Sequence, residues 1–167
     1  SRLAPVSMTG SGRARFSASG SCLARIVSKA ASVMFDQADY ALARSWRAVE
    51  RRDGVGARRW ARESVSHAPG NAYAALALAW GELLSGDQAA GRRALERSYH
   101  LAPRSTPLAL SRVSLAQRWW PVMEEEERRR LLAEIRIARG LDAHRFNQLA
   151  AEAPRLKSLH DLSETLR

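Results

Sequence analysis

The chain has 167 residues, of which 46% are apolar, and this is enough for one domain with a substantial core. A single cysteine, Cys22, excludes an internal disulfide framework and a zinc site built from cysteines. No apolar run approaches the roughly 18–20 residues of a membrane-spanning helix, so the sequence predicts no span.

The net charge of +10 is unevenly distributed along the chain. Residues 1–35 contain five basic side chains and no acidic one, whereas residues 36–167 contain 22 basic and 17 acidic side chains. The sequence therefore predicts a basic N-terminal arm over 1–35 and a nearly balanced domain over 36–167. The arm residues that we consider candidates for partner contact are Arg13, Arg15 and Arg25.

The first part of the arm, residues 1–20, is rich in Ser, Gly and Arg and lacks helical periodicity. Such a segment buries too little apolar surface to offset its ordering entropy, so we expect disorder in isolation. It also resembles an organelle transit peptide, above all if translation begins at Met8. Two hypotheses stay open: the arm lies on a partner in a larger assembly, or it folds back over its own domain. Cys22–Phe35 predicts a short helix that leads into the domain.

A pattern with a period of 34 residues occurs twice between Ala38 and Ser105. Eleven positions carry the same residue in both copies. These are Ala38/Ala72, Ala41/Ala75, Leu42/Leu76, Ala43/Ala77, Trp46/Trp80, Asp53/Asp87, Arg58/Arg92, Arg59/Arg93, Ser64/Ser98, Ala68/Ala102 and Pro69/Pro103. A fixed period of about 20–50 residues is typical of stacked repeats, whose units cover each other's apolar faces.

Each copy predicts two helices joined by a short turn. The four helices are predicted over Ala38–Arg52, 54–67, Ala72–Leu84 and Gln88–Leu101. Asp53 and Asp87 are placed to cap the second helix of each pair by accepting backbone N–H bonds. Pro69 and Pro103 follow those second helices and cannot continue them.

A third unit with weaker similarity follows. A helix is predicted to begin after Ser105, whose hydroxyl can cap it, and Pro107 suits its first turn. This helix is expected to end at Pro121. The next helix is predicted over Val122–Arg139, with Gly140 as its stop, because acidic residues fill its first turns and arginines its last. Its expected buried face is Leu131, Leu132, Ile135 and Ile137. Its expected i,i+4 ion pairs are Glu124/Arg128, Glu125/Arg129 and Glu126/Arg130.

The chain closes with two further helices. Asp142 is expected to cap a helix over Ala143–Glu152. A last amphipathic helix carries Leu156, Leu159, Leu162 and Leu166 at spacings of three and four, and is expected to shield the end of the stack. No stretch alternates with a period of two, so the predicted fold class is all-α.

The period and its marked positions resemble the tetratricopeptide repeat (TPR). In that register the matching positions are Leu78 and Ala79, the turn Gly86-Asp87, the packing residues Gly91, Leu95 and Ser98, and the helix-ending Pro103. The first copy departs from the pattern at Arg44-Ser45. The resemblance covers 38–105, and more loosely 106–140. It implies a solenoid of antiparallel helix pairs with a C-terminal closing helix.

The resemblance also implies a concave groove, lined by the first helix of each pair, that binds extended peptides or helices of partner proteins. The residues that it places in a partner-binding groove are Leu42, Trp46, Tyr73, Leu76, Trp80 and Leu83. One interpretation is a hydrophobic groove for a partner segment, since exposed aromatic residues are typical binding hot spots. The other is that this stripe is core, covered by the N-terminal segment or the last helices. Trp46 and Trp80 stand where a carboxylate clamp needs polar residues, so no clamp is expected.

Arginines also recur on and before the second helices. They are Arg51, Arg52, Arg58, Arg59, Arg62, Arg92, Arg93 and Arg97. One interpretation is a basic ridge that contacts phosphates of RNA or anionic lipid. The other is a solvated outer face, because Glu63, Asp87 and Glu96 are interleaved with the arginines.

No constellation of catalytic residues is evident. The four histidines are scattered without metal-ligand spacing, and neither a phosphate-binding Gly loop nor a nucleophile elbow occurs. The sequence thus predicts no enzyme, no metal and no cofactor. The expected function is a protein–protein interaction scaffold or accessory subunit of a larger complex. The alternative is a subunit that binds RNA or an anionic membrane surface through the arm and the arginine-rich faces.

A second resemblance lies beyond the repeats. Trp119-Trp120-Pro121 and Phe146-Asn147-Gln148-Leu149 are similar to the C-terminal part of repeat proteins that accompany bacterial envelope and polysaccharide machinery. It implies a bacterial protein on the periplasmic side of the envelope.

Overall fold

The computed structural model describes residues 36–165. These residues lie within one compact unit of the chain. The predicted arm over 1–35, the short helix over Cys22–Phe35 and Leu166 of the last helix lie outside the described residues.

The described residues form eight α-helices and one short 3-10 helix, with no strand among them. The α-helices are α1 (36–50), α2 (Gly54–His67), α3 (Ala72–Leu84), α4 (Gln88–Leu101), α5 (Thr106–Ala116), α6 (Glu125–Leu141), α7 (Ala143–Glu152) and α8 (Pro154–Thr165). The 3-10 helix covers Gln117–Val122 and follows α5 directly. The all-α prediction is confirmed for this part of the chain, and neighbouring helices pack pairwise.

Side-chain caps set where several helices begin. Asp53 accepts from the backbone N–H of Gly56 at 2.9 Å, and Asp87 accepts from that of Ala90 at 2.8 Å. Asp142 caps α7 through the N–H of Arg145 at 2.8 Å. All three predicted aspartate caps are confirmed. Each cap satisfies one of the backbone N–H groups that have no partner within the first turn of a helix.

Small residues allow α2, α3 and α4 to pack closely. A Cβ added at Gly81 would lie 2.5 Å from the backbone N of Arg58, and one at Gly54 would lie 2.6 Å from the carbonyl carbon of Leu84. Both glycines are therefore needed for backbone-to-backbone contact between α2 and α3. The fully buried alanines of these two helices are Ala57, Ala61, Ala74, Ala75, Ala77 and Ala79.

Larger side chains fill the space between α3 and the C-terminal helices. The core there includes Leu76, Leu95, Leu108, Val113, Leu115, Trp119, Leu131, Ile135, Phe146 and Leu156. The last helix, α8, packs against α6 and α7, and its Leu156 and Leu159 are buried. The third helix pair thus has a bulkier interior than the alanine-rich interface of the first two.

The third unit differs from the sequence prediction at its helix boundaries. Pro121 does not end α5, because α5 stops at Ala116 and Pro121 lies inside the 3-10 helix. Ser105 precedes α5 but its hydroxyl makes no capping hydrogen bond. The start of the next helix was predicted at Val122, which is wrong by three residues: a capping box between Glu124 and Glu127 starts α6 at Glu125.

The surface of α6 also differs from prediction. Gly140 does not stop the helix, which continues to Leu141. Ile137, predicted in the buried face, is 48% exposed. Of the three predicted i,i+4 pairs, Glu125–Arg129 forms at 3.1 Å. Arg130 pairs with Glu96 of α4 in place of Glu126, and Glu127, which belongs to no predicted pair, binds Arg92 of α4.

Candidate functional site

The structure places the six predicted groove residues on α1 and α3, and it separates one from the rest. Leu76 is 0% exposed and belongs to the core, so it offers no surface to a partner. Tyr73 is 41% exposed. Leu42, Trp46, Trp80 and Leu83 are half-buried. We call Leu42, Trp46, Tyr73, Trp80 and Leu83 the aromatic stripe.

The two tryptophans of the stripe sit at equivalent repeat positions and in similar surroundings. Trp46 and Trp80 both pack against the main core cluster while part of each side chain stays in solvent. The guanidinium of Arg118 lies 5.7 Å from the ring centroid of Trp80. Each indole is thus held in place by the core and still offers apolar area to another molecule.

Ion pairs neutralise part of the predicted arginine ridge. Arg62 Nη2 lies 2.7 Å from Glu82 Oε1, and Arg58 Nη1 lies 3.7 Å from Glu82 Oε2. Arg92 donates to Glu127 Oε1 at 2.7 Å. This hydrogen bond raises the pKa of Arg92 and lowers that of Glu127. These three arginines therefore have carboxylate partners within the domain.

A buried polar network that the sequence did not predict joins α4, α5 and α6. Arg112 is fully buried and donates to Ser98 Oγ at 3.1 Å and to the carbonyl oxygen of Ala102 at 2.9 Å. Its Nη1 lies 3.7 Å from Glu134 Oε1, and the Tyr99 hydroxyl donates to Glu134 Oε2. Burial raises the pKa of both Glu134 and Tyr99.

The network continues to the surface through Arg130. Its guanidinium lies 4.4 Å from the ring centroid of Tyr99, and its Nη2 lies 2.9 Å from Glu96 Oε1. Tyr99, Arg130 and Glu134 also line a cavity of about 120 Å³, which is small for a ligand. We therefore assign the network to holding the second and third helix pairs together. One sequence signal could have revealed it, because Arg112 follows Leu108 by four residues and so lies on the buried face of α5.

The predicted arm residues Arg13, Arg15 and Arg25 lie outside the described residues. Within 36–165, no group of three or more His, Cys, Asp or Glu side chains has the geometry to hold a metal ion. No helix in the described region is long and apolar enough to cross a bilayer.

Comparisons of the chain with protein-family models, curated proteins and solved structures gave no match.

Proposed function

We propose that the domain is a TPR-like scaffold that binds an apolar segment of a partner protein along the aromatic stripe. It acts without catalysis, as an accessory subunit of a larger complex, and the basic arm provides a second contact. The pairwise packing of α2 with α3 and of α3 with α4 supports this architecture, as does the recurrence of aspartate caps one period apart.

The observation that carries the proposal is the partial exposure of Trp46 and Trp80 at equivalent repeat positions. Large aromatic side chains that are already fixed bury much area on binding and lose little conformational entropy. Tyr73 adds a ring with a polar hydroxyl, a residue type enriched at protein interfaces. The apolar stripe therefore favours a partner segment with apolar side chains over a charged one.

The alternative is a subunit that binds RNA or an anionic membrane through the arm and the arginine ridge. The ion pairs of Arg58, Arg62 and Arg92 weaken the ridge as a phosphate-binding surface, because their guanidinium groups already have carboxylate partners. We therefore favour the scaffold as the main function, and consider separately Arg51 and Arg59, two ridge arginines that these ion pairs do not include.

The test begins with capture of a partner by the full chain, washed in high salt and identified by mass spectrometry. Affinity is then measured by calorimetry between the purified partner and each variant. Trp80→Ala and Tyr73→Ala are expected to weaken binding about 30-fold or more, as interface hot spots do. Tyr73 is 41% exposed and is not part of the buried core, so its loss should leave the fold intact.

Ile137→Ala is the matched control, because Ile137 is an exposed apolar residue on α6 outside the stripe. It should bind as the wild type does. Moderate added salt should weaken binding less than Tyr73→Ala does, since salt screens the contact of the basic arm but not the apolar contact of the stripe. The proposal fails if Tyr73→Ala and Trp80→Ala bind normally, or if the partner is lost at high salt.

A further inference from the structure

The outer surface formed by α1 and α2 carries two aromatic rings and a set of arginines that the proposed scaffold function does not use. We call it the arginine–aromatic face, and it consists of Tyr40, Arg44, Arg47, Arg51, Arg59 and Trp60. The rings of Tyr40 and Trp60 meet edge to face, with centroids 6.0 Å apart. Tyr40 is 57% exposed.

Two guanidinium groups lie against these rings. That of Arg44 is 4.8 Å from the Trp60 centroid and 5.9 Å from the Tyr40 centroid. That of Arg59 is 5.1 Å from the Trp60 centroid. Cation–π contact of this kind holds a guanidinium group in place without using its N–H groups in hydrogen bonds.

Three of the arginines form a row at the C-terminal end of α1. Arg44 and Arg47 lie on α1, and Arg51 follows its last residue with its backbone N–H still bonded to the carbonyl oxygen of Arg47. Spacings of three and four residues place the three on one side of the helix, about 4.5 and 6 Å apart along its axis. With Trp60 and Asp53 they line a cavity of about 140 Å³, so the row borders a small depression of the surface.

None of the four arginines of the face forms an ion pair within residues 36–165, although other arginines of the domain do. The four are Arg44, Arg47, Arg51 and Arg59. Arg58 and Arg62, on the same helix as Arg59, are paired with Glu82. Asp53, the acidic residue in the cavity wall, is engaged in capping α2. The face therefore presents four guanidinium groups without an ion-pair partner among residues 36–165, against the single carboxylate of Asp53 in the cavity wall.

We propose that the arginine–aromatic face binds single-stranded nucleic acid. The row of guanidinium groups suits successive phosphates, because each planar fork can donate two hydrogen bonds to one phosphate. The exposed ring of Tyr40 provides a surface on which a base can stack. The Tyr40 ring favours a nucleic acid over an anionic bilayer, because a bilayer offers no base to stack on it.

The N-terminal segment, residues 1–35, carries five basic side chains and no acidic one, so it offers the face no carboxylate and adds to the attraction of the chain for a polyanion.

The test measures binding of fluorescently labelled single-stranded RNA and DNA oligonucleotides to the full chain by anisotropy at several salt concentrations. The test variant replaces Arg44, Arg47 and Arg51 with Gln. The control replaces Arg139, Arg145 and Arg155 with Gln, which removes the same net charge from exposed arginines elsewhere. Circular dichroism and urea unfolding establish that both variants are folded.

The face variant should bind at least tenfold more weakly than the control variant at moderate salt. Its plot of log K against log salt should be shallower by about 2, since each lost phosphate contact on a single strand changes the slope by about 0.7. Tyr40→Ala should weaken binding about fivefold or more, whereas Tyr40→Phe should not, because stacking needs the ring and not the hydroxyl. Binding of either RNA or DNA in this pattern supports the proposal.

Two results would overturn it. The wild type fails to bind either oligonucleotide, whether or not it binds vesicles of anionic phosphatidylglycerol, or the two triple variants lose affinity equally. Equal losses would mean attraction to net charge instead of a site. Neither of these results bears on the aromatic stripe, whose test uses a different surface and a different ligand.

Discussion

Arg52 and Gly86 occupy the same turn position in the two helix pairs, 34 residues apart, and both have a left-handed backbone conformation. The φ angle is 59° at Arg52 and 88° at Gly86. Asp53 and Asp87 follow directly and cap the next helix in each case. The repeat is thus a repeat of backbone conformation as well as of sequence.

Arg52→Gly should stabilise the domain by about 0.5–1 kcal/mol. A left-handed conformation costs an L-residue about 1–2 kcal/mol, and this gain exceeds the entropy cost of a new glycine. Gly86→Ala should destabilise by a similar amount, for the same reason in reverse. Urea unfolding of both variants measures this, and a shift of the same sign in the two would contradict it.

Gly81→Ala and Gly140→Ala should shift stability in opposite directions. Gly81 has no room for a methyl group, because a Cβ would lie 2.5 Å from the Arg58 backbone. Overpacking of this kind costs about 1–3 kcal/mol. Gly140 lies in α6 with no atom within 4 Å of a Cβ, so alanine there should add about 0.5–1 kcal/mol through helix propensity. Thermal unfolding compares the two, and equal effects would mean that α2 and α3 are not in such close contact.

Local signals explain which helix boundaries could be predicted from the sequence. The bounds of α3 (Ala72–Leu84), α4 (Gln88–Leu101) and α7 (Ala143–Glu152) agree with prediction, because a capping residue or a Pro follows or precedes each. The start of α6 could not be predicted in the same way. Its capping box depends on Glu127 turning back to the Glu124 N–H, although the neighbouring glutamates are chemically identical.

The exposure and the ion pairs of the candidate site residues could not be predicted, because both depend on contacts between helices. Leu76 and Trp80 belong to one sequence stripe, and only the packing of neighbouring helices decides that the first is core and the second half-exposed. Likewise, arginines on the same helix differ in whether they form an ion pair. Glu82 on α3 pairs with Arg58 and not with Arg59. The arginine–aromatic face depends on Arg59 having no such carboxylate partner, and the spacing of the arginines along α2 does not predict this.

Arg112→Met should be among the most destabilising single substitutions in the domain, at about 3–5 kcal/mol. It leaves the Glu134 carboxylate in the interior without its cation, and two acceptors, Ser98 O and Ala102 O, lose their donor. The double variant Arg112→Met, Glu134→Leu should be less destabilised than the single one. Arg129→Ala, which breaks an exposed pair, should cost less than about 0.5 kcal/mol in the same urea experiment. A double variant worse than Arg112→Met would show that the charges of Arg112 and Glu134 are not what couples them.

The contributions of Glu134 and Glu127 to the free energy of unfolding should change with pH in opposite directions. The pKa of Glu134 is raised above its ordinary value of 4.5 by burial, so the folded state binds its proton more tightly than the unfolded state does. The stability that this residue contributes is therefore present at low pH and falls as pH rises from 4.5 through the raised pKa. The pKa of Glu127 is lowered from 4.5, first of all by its hydrogen bond from Arg92. Its contribution is present above 4.5 and is lost as pH falls through the lowered pKa.

Urea unfolding between about pH 3 and 7 isolates each residue when the wild type is compared with Glu134→Gln and with Glu127→Gln. The free energy of unfolding of the wild type minus that of Glu134→Gln should fall with increasing pH, by at most about 1.4 kcal/mol per pH unit. The same difference taken against Glu127→Gln should rise. If both differences rise, Glu134 is held as an anion by Arg112 and Arg130, and burial does not dominate its titration.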